Sequence, residues 1–148
     1  MKITKLYSAA VVVMAALTFA SCSNKKFHIN GNITEAKDSM LYLENISLDG
    51  PVAIDSVKLG EDGSFAFEET AKDSVCPDFY RLRIAGQTIN LSIDSTETIS
   101  VKAAYPSMRY QYTVEGSENC STIKELSLKQ MKLQALVNEI AQNPNVGV

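Results

Sequence analysis

The chain has 148 residues, one histidine, three cysteines, no tryptophan and a formal net charge of −3. That acidic balance argues against nucleic acid and against a polybasic membrane patch. A single histidine with three cysteines leaves little from which to assemble a metal centre, so neither a metal nor another cofactor is expected.

Residues 1–21 carry Lys2 and Lys5 ahead of a mostly apolar stretch, Leu6 to Ala20, and no acidic residue. The stretch is too short for a spanning helix, which needs roughly 20 apolar residues, and polar residues follow it at once. A signal peptide over 1–21 is the expectation. Without it, 12 basic side chains face 17 acidic ones, a net charge of −5, and the remaining chain is one domain. Phe19-Ala20-Ser21-Cys22 resembles a bacterial lipobox, although Phe19 stands where leucine is usual. The resemblance implies acylation of Cys22 and stable membrane anchoring through more than one chain. Residues 22–26 then form the lipidated cysteine and a tether without an acidic residue. An anchor in the outer membrane facing the periplasm is implied. The alternative is an ordinary secretory signal cleaved near Ser21.

From Phe27 onward the apolar residues alternate with polar ones, the period of a half-buried strand. The alternation runs through Phe27/Ile29/Ile33, Leu41/Leu43, Val52/Ile54, Phe65/Phe67, Tyr80/Leu82/Ile84, Ile89/Leu91/Ile93, Ile99/Val101 and Tyr110/Tyr112/Val114. Turn residues separate these runs: Asp49-Gly50-Pro51, Gly60-Glu61-Asp62-Gly63, Cys76-Pro77-Asp78, Gly86-Gln87, Asp94-Ser95 and Tyr105-Pro106-Ser107. About eight short strands over 27–116 predict an all-β domain, an antiparallel β-sandwich or partly open barrel.

Residues 117–148 are expected to be one C-terminal α-helix and a tail. Thr122 with Glu125 fits a capping box, and the helix is expected to end near Gln142, before Asn143-Pro144. Ile123, Leu126, Leu133, Val137 and Ile140 share one side of it, and Leu128, Met131 and Leu136 widen the apolar surface. Either both faces pack on the sandwich and tail, or part of the helix meets another domain or subunit.

Ile54-Asp55-Ser56-Val57, the Gly60 to Gly63 turn, Ser64-Phe65-Ala66-Phe67, Pro77-Asp78-Phe79-Tyr80-Arg81-Leu82 and Val114-Glu115-Gly116-Ser117 before a helix together carry a resemblance. This arrangement is similar to the uncharacterised β-rich N-terminal domain of lipid-anchored thioredoxin-like (AhpC/TSA-type) proteins of Gram-negative bacteria. The resemblance implies an anchored, non-catalytic accessory module working beside a thioredoxin-like domain or protein. The Cys-x-x-Cys pair of such proteins is absent from this sequence. Two other readings stay open: the N-terminal part of a thiol-disulfide oxidoreductase whose redox domain is missing, and a small-ligand-binding lipoprotein.

Among the side chains with chemistry, Cys76 and Cys120 could close a disulfide worth about 4 kcal/mol at most, or be two separate buried thiols. Neither has a partner for catalysis at a suitable spacing, although Cys120, near the expected helix start, could feel its positive end. His28 alone is expected to face solvent. Gly60 to Gly63 lacks the alternating acids of a calcium loop and reads as a hairpin turn. Arg81 and Arg83 project from one face of a strand. They form either a contact for an anionic ligand or partner, or a solvated face balanced by a cross-strand Asp or Glu. Tyr105, Tyr110 and Tyr112 are expected mainly to pack the core.

Overall fold

The computed structural model describes residues 25–72 and 76–143. The expected signal peptide and Cys22 lie outside the described residues. Eight strands precede one helix: β1 (Lys26–Thr34), β2 (Met40–Ser47), β3 (Gly50–Lys58), β4 (Ser64–Thr70), β5 (Asp78–Ile84), β6 (Gln87–Ile93), β7 (Thr98–Ala104), β8 (Tyr112–Glu115) and α1 (Glu118–Gln142). They form two four-stranded sheets, ordered β4-β1-β7-β8 and β3-β2-β5-β6, and the fold is a sandwich rather than a closed barrel.

Period-two alternation builds the core directly. Phe27, Ile29 and Ile33 of β1 are fully buried, as are Leu41 and Leu43 of β2, Leu82 of β5, Leu91 of β6, and Ile99 and Val101 of β7. Each contributes roughly 1.5–3 kcal/mol by leaving water. The rings of Phe27 and Tyr80, one from each sheet, lie 4.9 Å apart and tie the two layers together. Loop residues Leu59 and Met108 are also buried.

Four features depart from the sequence expectation. All pairings are antiparallel except that β1 and β7 run parallel, Ile29 opposite Ile99 and Gly31 opposite Val101. Val52 and Ile54 are 56% and 41% exposed. β3 is an edge strand, and of its side chains only Val57 packs against the core. The Gly60 to Gly63 segment is not a hairpin turn, because β3 and β4 belong to different sheets and the segment carries the chain between them. Tyr110 precedes β8 and is half exposed, with the Arg109 guanidinium 5.4 Å from its ring centre.

The helix starts four residues before the expected capping box. Ser117 is its N-cap, its hydroxyl accepting from the Cys120 N–H at 3.2 Å, and Glu118 supplies a negative charge in the first turn. α1 lies against β6 and β8, the edge strands of the two sheets, and so covers the open side of the sandwich. Only Cys120 is buried along its 25 residues. No helix among the described residues is long and apolar enough to cross a membrane.

Candidate functional site

The β2–β5 register decides where the paired arginines go. Leu43 faces Leu82 on the core side, so the alternate partners, Tyr42 with Arg83 and Glu44 with Arg81, stand on the outer face. There Glu44 binds both arginines at once: Arg81 Nε donates to Oε2 at 2.5 Å and Arg83 Nε to Oε1 at 2.7 Å. The Glu44 side chain is 6% exposed and the arginines 27% and 29%. The Arg83 guanidinium also lies 4.5 Å from the Tyr42 ring centre.

Burial opposes the charge on Glu44 and is the largest single influence on it. The hydrogen bonds and charges of Arg83 and Arg81 together override burial, so the carboxyl is held below its ordinary range. Two positive charges against one negative leave this outer face with a net positive centre. Next to it, Asn45 donates to the Phe79 carbonyl at 3.3 Å and accepts from Lys72 at 3.1 Å.

A cleft of about 400 Å³ opens between this face and α1, bordered by Ile46, Phe79, Arg81, Asn90, Ile123 and Leu126. Its walls combine apolar side chains with the Arg81 guanidinium, the Asn90 and Gln130 amides and the Ser127 hydroxyl. A second cleft of about 260 Å³ lies between β6, β8 and α1, where Thr88, Asn90, Arg109 and Gln130 make its surface more polar.

The two cysteines are not bonded to each other. Cys76 is exposed, before β5. Cys120 is buried beneath the start of α1, its thiol donating to the Ser92 carbonyl at 3.2 Å. Burial, with a smaller contribution from the charge of Glu97, pushes the Cys120 thiol up despite the hydrogen bonds at Ser92 and Ser117, so the helix start does not activate it. Cys120 is expected to resist alkylation in the native protein and to label fully in denaturant. Mass spectrometry of iodoacetamide-treated protein checks this, and fast native labelling would show that the first turn of α1 opens readily.

His28 is partly exposed on β1 and lies 3.5 Å from Glu68, which also pairs with Lys26. Among the described residues no group of three or more His, Cys, Asp or Glu is placed to hold a metal ion. Tyr112 is buried, its hydroxyl pushed up to about 12 by burial and then by Cys120. Tyr105 packs partly against the core.

The arginine pair is visible in the sequence, whereas its partner Glu44 is there only one of several acids that could lie across the strand. The available signal was Tyr42-Leu43-Glu44, polar residues alternating with a buried leucine on a strand of matching parity.

No curated protein matches the chain significantly. Among solved structures it is similar to an (S)-allantoin synthase at 10% identity and a TM-score of 0.39, over 65% of this chain and 45% of that one. A proposed cell adhesion protein from Bacteroides ovatus matches at 11% and 0.35, over 64% and 43%. Pneumolysin matches at 14% and 0.28, over 62% and 23%. The chain therefore spans less than half the length of each of these structures. A sequence profile described as Domain of unknown function (DUF4369) matches residues 27–120, from the first strand to the first turn of α1, and the chain belongs to that family.

Proposed function

We propose that the chain is a cell-envelope lipoprotein, acylated at Cys22 and facing the periplasm, whose β domain is a non-catalytic interaction module for a thiol-disulfide system. The observation that carries the non-catalytic reading is the state of the two most reactive buried groups. Glu44 holds its charge between two guanidiniums, so its basicity is spent, and Cys120 is a buried thiol whose ionisation is disfavoured. Both act as structural groups. The family match over the strands and the lipobox-like residues supply the rest of the support.

A second reading is favoured by the cleft beside Arg81, whose volume of about 400 Å³ is in the range that holds small ligands. In that case the module binds an amphipathic anion there.

Radiolabelled palmitate tests the anchor. The native chain is expected to take up label and fractionate with membranes, whereas Cys22→Ser loses the label and appears in the soluble envelope fraction. Unlabelled native protein would overturn the anchored reading. The purified domain is also expected to show no insulin reduction with dithiothreitol, and measurable turnover would overturn the accessory role.

A further inference from the structure

Helix α1 carries an apolar stripe that its own domain does not cover. Leu126, Leu133, Val137 and Ile140 are 57%, 62%, 49% and 51% exposed. At 3.6 residues per turn they fall within a sector of about 60°, roughly 120° around the helix from the side of Ser127 and Met131 that borders the β6/β8 cleft. At its N-terminal end the stripe continues into the cleft with Ile46 and the half-exposed Phe79. Isolated exposed apolar residues are ordinary, but this stripe runs from Leu126 to Ile140 with spacings of seven, four and three residues, the intervals of a helix-pairing seam.

Charge identifies what covers it. Glu125 is engaged within the helix by Lys129 at 2.5 Å. Lys132 and Glu139, beyond Leu136 on one side of the stripe, make no ion pair among the described residues, and with Leu133 and Leu136 they form one exposed face of α1. We infer that a second copy of this chain packs its own α1 against that face, antiparallel, with Leu133 against the partner's Leu136 and Lys132 against the partner's Glu139. The two-fold operation makes both contacts twice. Lys129 then lays its aliphatic stem along the partner's Ile140. A parallel pair would set Lys132 beside the partner's Val137 and leave both charges without a counter-ion, so the charge pattern selects the antiparallel arrangement.

The inference gives the interaction module its partner and is independent of acylation at Cys22. A strictly monomeric chain would remove the pairing and leave the palmitate result untouched. Sedimentation equilibrium on residues 25–148, which hold all the described core, is expected to show a reversible dimer. Lys132→Glu and Glu139→Lys should each weaken the dimer about tenfold, since each turns two attractions into two repulsions. The double variant, and the two single variants mixed one to one, should associate within about twofold of the native chain. Leu133→Asp should be monomeric, with an unchanged circular dichroism spectrum because Leu133 is exposed in the monomer. A monomer at every concentration, or charge reversals that leave association unchanged, would overturn the proposal.

Discussion

Gly31→Ala is expected to destabilise the domain by roughly 3–5 kcal/mol, enough to unfold much of it, although it adds a single methyl group. Gly31 lies in β1 between two partners, opposite Phe65 of β4 and Val101 of β7. A Cβ built there would stand 1.8 Å from the Val101 carbonyl oxygen and 2.8 Å from its carbon. Neither atom is the end of a flexible side chain. They are backbone of the ladder itself, flanked by the fully buried Ile29, Ile33 and Ile99, so retreat requires β7 to move away from β1. The parallel β1–β7 pairing is the junction between the β4-β1 and β7-β8 halves of its sheet, and opening it exposes core on both sides. Urea unfolding followed by circular dichroism measures the cost. Gly86→Ala is the control: a Cβ there meets nothing within 4 Å and Gly86 has no positive φ, so a change within about 0.5 kcal/mol is expected. A Gly31→Ala transition as late as that of the control would refute the close-approach account.

The same glycine shows what was legible in the sequence. In the run Phe27, Ile29, Ile33, position 31 is where the apolar alternation lapses, and the period resumes at Ile33, so the strand continues through the glycine. Strand content of this kind is a local property, and each predicted run has its counterpart among β1 to β8. Facts that depend on distant neighbours were not readable. The alternation in Val52 and Ile54 has the form of an inward face, but burial needs a layer opposite, and β3 is at an edge where only Val57 reaches the core. The parallel pairing of β1 with β7 leaves no mark in either strand. At α1, Thr122 and Glu125 had the spacing of a capping box, but Ser117 was the better start. Gly116, with φ of +92, turns the chain so closely over Thr98 that a Cβ would lie 2.1 Å from its carbonyl oxygen, and this places Ser117 at the cap. The arginine pair was seen because its members are two residues apart. Glu44 lies 37 positions before Arg81, and only the β2–β5 register brings them together.

Glu44→Gln is expected to cost roughly 2–4 kcal/mol, and the cost is expected to vanish in acid. The amide keeps the size of the carboxylate but removes the charge that both Nε donors address, leaving two guanidiniums on neighbouring positions of β5 without their counter-ion. Arg81→Ala or Arg83→Ala alone should cost less, roughly 1–2 kcal/mol, because the other arginine still neutralises Glu44. Losing both should exceed the sum, since a carboxylate only 6% exposed would then be unpaired. The pH dependence has a definite sign. Glu44 titrates below its ordinary value of 4.5 when folded, so the unfolded chain binds its proton first. The stabilisation is complete above that ordinary value and is lost as pH falls through the folded one. Asp62, Glu68 and Glu125 are also held low, by hydrogen bonds from Ser64, Lys26 and Lys129 respectively, and they contribute to acid sensitivity in native and variant protein alike. The informative quantity is therefore the difference in unfolding free energy between native and Glu44→Gln protein as a function of pH. It is expected to be flat from pH 7 to about pH 5 and to shrink towards zero below about pH 4. A difference that stays constant to pH 3 would mean that Glu44 contributes through shape and hydrogen bonding alone, and that its charge between the two arginines adds nothing to the fold.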